Sequence, residues 1–134
     1  MDSALVQHVW KRAGNCCEYC QMLQKFDENI FEIDHIIAKQ HGGLTVMNNL
    51  ALSCFYCNVF KGPNIAGRDR LTKKLAPLFN PRRHKWDRHF RWEGGRLVGR
   101  TSIGRVTLAL LNINAPLRIE LREELIAEGL FPPR

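Results

Sequence analysis

The chain has 134 residues, 45% of them hydrophobic and 25% charged, the make-up of one globular domain rather than of a disordered or fibrous chain. It holds no apolar run long enough to cross a membrane, and its opening MDSALVQHVWKRAG lacks an apolar signal core, so a cytoplasmic protein is expected. The formal net charge is +7, and from Lys61 to Arg105 13 Lys and Arg stand against 3 acids, a local +10. That distribution suits a phosphate polymer as partner, although a solvated surface is charged for plainer reasons too.

In chain order, Leu5 with Val9 and Val6 with Trp10 make i,i+4 pairs over residues 3 to 13, an amphipathic helix with Ser3 as its cap and Gly14 as its stop. Residues 15 to 29 are cysteine-rich and turn-like. Residues 31 to 37 read as a strand, 38 to 48 as a loop with Gly42-Gly43, and NLALS (49 to 53) as a second strand. A helix is expected from about Cys54 to Lys61, where Gly62-Pro63 ends it. Pro77 and Pro81 break the basic stretch 64 to 88 into short pieces.

HFRWEGGRLVG reads as a hairpin turning at Gly94-Gly95, followed by a helix capped by Thr101 or Ser102. Asn114 is expected to cap a last helix with Pro116 in its first turn. Leu117, Leu121 and Leu125 form its apolar stripe, expected to face the core. No linker separates these pieces, so a single domain over residues 1 to 134 is expected.

Five cysteines, an odd number in a reducing compartment, argue for metal over disulfides. Cys17-x2-Cys20 and Cys54-x2-Cys57 each bring two sulfurs to one side of a turn, and together they supply the closed tetrahedral shell of a structural zinc. Cys16-x3-Cys20 is a possible alternative pairing, but the two-residue spacing matches the second pair, and Cys16 is read as an ordinary buried thiol. A four-thiolate zinc has no open position. Any chemistry must therefore use the insert between the pairs, where Asp34 and His35 are neighbours in an apolar strand whose side chains alternate in direction.

The ordered set CEYC, IDHIIA, GG and NNLALSCFYCNVFKG resembles an HNH endonuclease of the ββα-metal fold, in the subset that carries a four-cysteine zinc, over about residues 15 to 62. The rest, 63 to 134, is a basic and helical extension. The resemblance implies an α+β fold: a ββα-metal core with a structural four-cysteine zinc site, flanked by an N-terminal helix and a C-terminal hairpin plus helices. It implies that His35 is the general base, as its pKa suits, and that Asp34 is the acidic metal ligand. Asn49 is the central Asn that braces the loop and orients the imidazole; Asn48 is adjacent, but the NL before the second strand favours Asn49. Asn58 stands where many members have His, making an HNN variant. The hard oxygens of Asp34 and Asn58 suit Mg²⁺ or Mn²⁺.

The function so implied is metal-dependent hydrolysis of DNA, double-stranded, by an endonuclease. The alternatives are a non-catalytic zinc-stabilised nucleic-acid-binding module and a protein-interaction module with a basic face. Lys61 shares a helix face with Asn58 and is a candidate phosphate contact, with a helix C-cap as the plainer role. Arg68, Arg70, Lys73, Lys74, Arg82 and Arg83 are further backbone contacts, with Lys85, Arg88 and Arg91 behind them. Trp86, Phe90 and Trp92 are expected to fill a core rather than stack on bases. His41 is read as a solvated loop residue.

Overall fold

Helix α1, Ser3–Ala13, opens the chain where the paired apolar residues place it. Its cap is Asp2, whose Oδ1 accepts from the Ala4 amide at 2.9 Å, and not Ser3, which is the first helical residue. A carboxylate there meets both the orphan amides and the positive end of the helix. Gly14 closes the helix in the left-handed conformation. The computed structural model describes residues 1 to 133, and they fall into two compact units, Met1–Ile65 and Ala66–Arg134.

In the first unit, strand β1 (Glu32–His35) pairs antiparallel with β2 (Leu50–Ser53), with Asp34 opposite Ala51 and His35 opposite Leu50. All four residues of β2 are buried. Helix α2, Phe55–Lys61, follows after Cys54, whose sulfur accepts from the Cys57 amide. The order β1, β2, α2 is the ββα core that the resemblance implied. The Cys17–Cys20 knuckle packs on β2 through Glu18. Its amide donates to Leu52 O at 2.9 Å, and its Oε2 accepts from the Leu52 amide at 2.8 Å, so one residue acts as a third strand. Arg12 of α1 donates to Met47 O at 2.8 Å and Leu50 O at 2.6 Å, tying the first helix to the start of β2.

In the second unit, β3 (Ala66–Arg68) pairs with β4 (Leu75–Pro77), and β5 (Phe90–Glu93) pairs with β6 (Arg96–Gly99). The short helix α3, Trp86–His89, leads into β5. Helix α4, Ser102–Leu110, is capped by Thr101, whose Oγ1 accepts from Gly104 N at 3.1 Å. Phe90 is buried, and Trp86, Phe90, Trp92 and Phe131 make a ladder of rings with neighbouring centroids 5.1 to 5.8 Å apart. These aromatics pack as core, as expected.

Helix α5, Pro116–Ala127, departs from expectation twice. Asn114 does not cap it: its Oδ1 accepts from Leu97 N and its Nδ2 donates to Leu97 O, both at 2.8 Å, and this amide mimicry binds the hairpin instead. Nor does the leucine stripe face inward, since Leu117 is 79% exposed and Leu121 37%, with only Leu125 buried. The inward face carries Arg118 and Arg122, which are buried because their guanidinium groups meet free carbonyls. Arg118 donates to Leu111 O at 2.8 Å and Asn112 O at 3.1 Å, and Arg122 to Gly95 O at 2.7 Å and Ile113 O at 2.8 Å.

Candidate active site and metal centre

Cys17, Cys20, Cys54 and Cys57 are all buried, and their four sulfurs lie within 4.8 Å of one another. Cys20 Sγ and Cys54 Sγ are 3.7 Å apart. Four sulfurs at about 2.3 Å from one tetrahedral ion stand roughly 3.8 Å from each other, so the cage fits a metal ion. The amide of Cys20 donates to Cys17 Sγ at 3.5 Å and that of Cys57 to Cys54 Sγ at 3.4 Å, the hydrogen bonds that favour thiolate over thiol. Without a cation the neighbouring thiols and burial push Cys54 far above the ordinary thiol range, and burial pushes Cys57 the same way. Cys16 stands outside the cluster and is half-buried.

Strand β1 ends at His35, shorter than the expected strand over residues 31 to 37. His35 Nε2 is 2.8 Å from Thr45 Oγ1 in the loop that follows. Burial, with the charges of Lys39 and Lys61 adding to it against the pull of Asp34, lowers the imidazole pKa below its ordinary value. Asn49 braces this loop as expected. Its Oδ1 accepts from Ile37 N at 2.9 Å, and its Nδ2 donates to Ile37 O at 3.0 Å and to Leu44 O at 2.9 Å. It touches the imidazole only through the loop, by holding the residue next to Thr45. Gly43 is needed there because a Cβ would lie 1.7 Å from Ile37 O. His41 is exposed in this loop, as read from the sequence.

Asp34 points to the opposite side of the strand and is buried. Its Oδ2 accepts from Tyr19 Oη at 2.7 Å and from Lys61 Nζ at 3.0 Å, and its Oδ1 accepts from Lys61 Nζ at 3.2 Å. Burial raises the carboxyl pKa, and Lys61 and Tyr19 pull it back. Tyr19 is raised well above the ordinary phenol range by burial, with the neighbouring Asp34 charge adding to it, so it serves as a neutral donor. Lys61 corrects an expectation. It is 1% exposed and reaches no solvent phosphate, because its ammonium also donates to His35 O at 3.2 Å and Ile36 O at 3.1 Å. Asn58 lies one turn before Lys61 on the same face of α2 and is half-buried, its side chain without a hydrogen bond among the described residues.

A hard cation would find one uncommitted amide oxygen on Asn58 and, since a carboxylate oxygen accepts two bonds, one remaining acceptor position on Asp34 Oδ1. Both are oxygen donors of the hard type that such an ion takes. Of the basic residues expected at a nucleic acid, Arg68, Arg70, Lys73, Lys74 and Arg83 are exposed and Arg82 is half-buried.

Residues 17–64 match the family model described as HNH endonuclease. The likeness to that family lies in this stretch of the chain. The matched residues hold both CxxC pairs, Asp34, His35, Asn49 and Asn58, and end one residue short of the first unit. No curated protein and no solved structure matches the chain. Among the described residues no helix is long and apolar enough to cross a membrane. Thr45, Tyr19 and the inward role of Lys61 are the site residues that sequence reasoning missed. For Tyr19 a signal existed, since a phenol locked between Cys17 and Cys20 is bound to be buried and must find a partner.

Proposed function

We propose that this HNH domain is a metal-dependent endonuclease that hydrolyses phosphodiester bonds of DNA, with double-stranded DNA as its substrate and the cytoplasm as its setting. The observation that carries the reading is His35. Its ring stands at the end of β1, burial lowers its pKa, and its Nε2 is within hydrogen-bond distance of Thr45 Oγ1. When Nε2–H donates to Thr45, Nδ1 keeps its lone pair and has no partner among the described residues. A neutral imidazole held by one nitrogen with the other free is what a general base needs.

In this reading Nδ1 of His35 takes a proton from water as the oxygen attacks phosphorus, and the 3′ oxygen leaves from the opposite side. Asn49 and Gly43 keep the loop, and with it Thr45, in register with the ring. Asp34 and Asn58 would hold Mg²⁺ or Mn²⁺, which neutralises charge on the phosphorane and the leaving oxygen when bound. The four cysteines would hold zinc, which fixes the knuckle to the start of α2 and takes no part in the chemistry. Arg68, Arg70, Lys73, Lys74, Arg82 and Arg83 would supply phosphate contacts.

Incubation with supercoiled plasmid tests the reading. Nicking should require Mg²⁺ or Mn²⁺, stop in EDTA and vanish in His35→Ala. Retardation of DNA without cleavage under every cation would favour the second reading, a zinc-stabilised nucleic-acid-binding module. One feature favours that alternative: Lys61 already compensates Asp34, as in a site that has no further need of a metal ion.

A further inference from the structure

Lys61 crosses from α2 to the end of β1 and delivers its whole charge there. Four oxygens surround its Nζ, both of Asp34 and the carbonyls of His35 and Ile36, at 3.0 to 3.2 Å. Lys61 and Asp34 are 1% and 6% exposed, so water screens the pair little. A buried ion pair adds little stability over apolar residues of the same volume, so packing alone does not account for it. Its electrical effect is plain. The carboxylate that should attract a dication already has a cation against it, Asn58 is neutral, and Lys39 adds a positive charge close enough to act on His35. The protein side of the site therefore has no net negative charge with which to draw Mg²⁺ from water, and this ion gives up its hydration shell reluctantly.

We infer that Lys61 makes cation binding conditional on substrate: the free protein holds a divalent cation poorly, and the site fills when a phosphodiester brings the missing negative charge. The inference rests on the nuclease reading, because it places the substrate phosphate beside Asp34 and Asn58. Lys61 acts here through Asp34 as a positioning residue. It keeps the carboxylate ionised and in place while holding its attraction for metal in check.

Mn²⁺ binding by the zinc-loaded full chain, counted by electron paramagnetic resonance, tests this. Free wild-type protein should show no saturable site below millimolar Mn²⁺, and Lys61→Met should bind roughly tenfold tighter or more. With a DNA duplex in the non-cleaving His35→Ala background, about one Mn²⁺ per protein should appear beyond the count for His35→Ala/Asp34→Asn, which corrects for Mn²⁺ on the DNA. A tight Asp34-dependent site in free wild type that Lys61→Met leaves unchanged would overturn the inference. So would Mn²⁺-dependent nicking by wild type with no extra Mn²⁺ in the duplex sample. Should Lys61→Met fail to fold, the comparison of free with duplex-bound protein decides alone. Absence of nicking with the Mn²⁺ pattern intact would remove the nuclease reading and leave the inference standing.

Discussion

His35 Nε2 and Thr45 Oγ1 are 2.8 Å apart, and this contact joins the end of β1 to the far side of the Gly42-Gly43 loop. The contact holds one ring nitrogen and limits rotation of the imidazole. Thr45→Val preserves shape and removes the hydroxyl. It should lower kcat for plasmid nicking about fivefold, the worth of one hydrogen bond of ~1 kcal/mol. His35→Ala should cost about a hundredfold or more. Thr45 is exposed, so the melting temperature should hardly move. A Thr45→Val protein with wild-type kcat would show that the contact does not orient the base.

The pH profile follows from the surroundings of the same ring. Burial first, then the charge of Lys39, lowers the His35 pKa. The neutral form is the base, and the lowered pKa enlarges its share at neutral pH. The rate should be flat there and fall only on the acid side, below the ordinary imidazole value of about 6.5. Lys39→Gln removes one of the lowering charges and should move the acid limb upward, toward neutrality. A limb that stays in place, or moves further into acid, would contradict this assignment of causes.

The two metal roles separate by their response to mutation. Cys57→Ser removes one corner of a cage whose four sulfurs lie within 4.8 Å, and should lower the melting temperature by about 10 °C or more. Asn58→Ala leaves that cage and the Asp34–Lys61 pair intact. It should cost most of the nicking activity while shifting the melting temperature by no more than about 2 °C. Equal large losses of stability in both proteins would refute the division between a scaffold ion and a working ion.

The loop offers a sharper test of how the base is held. Asn49 satisfies three backbone groups, at Ile37 and Leu44, and a Cβ at position 43 would collide with Ile37 O and crowd Asn49 Nδ2 at 2.9 Å. Gly43→Ala should therefore displace the brace and reduce activity as severely as Asn49→Ala. Gly42→Ala meets nothing within 4 Å and is strained only by its positive φ of +86°, so it should be the milder change. Nicking rates of the three proteins rank them.

The parts of this molecule that were legible in its sequence are those set by short-range spacing. Two CxxC pairs can hardly fail to meet at one ion, and a strand that runs Ile33, Asp34, His35 must turn one polar side chain inward. What spacing cannot tell is which partner receives the inward one. Tyr19 and Lys61 reach Asp34 from 15 and 27 positions away, and that approach exists only once the knuckle and α2 are docked on the strands. The same limit explains α5. A leucine stripe at i, i+4, i+8 looks buried to any periodicity argument, yet Arg118 and Arg122 take the inner face because free carbonyls of the second unit happen to be there.

The basic segment yields the last test. The β3–β4 hairpin carries exposed Arg68, Arg70, Lys73 and Lys74. Its connecting turn is fixed by Asp69, which caps Leu71 N at 3.0 Å and is ion-paired with Arg105 at 2.9 Å. The hydrogen bonds from Arg105 hold the Asp69 carboxyl well below the usual carboxylate range, so the hairpin keeps an acid as its internal anchor, and the charged side chains it exposes are all cations. If those four residues meet phosphates, each contact releases counterions, and the logarithm of the affinity should fall with the logarithm of salt by about 0.9 per contact. Lys73→Gln/Lys74→Gln should weaken duplex binding at low salt and flatten that slope by about 1 to 2, with the melting temperature unchanged. Wild-type affinity that stays level from low to moderate salt would move the docking surface elsewhere. A double variant with an unchanged slope would acquit these two lysines and leave Arg68, Arg70 and Arg83 to be tested in turn.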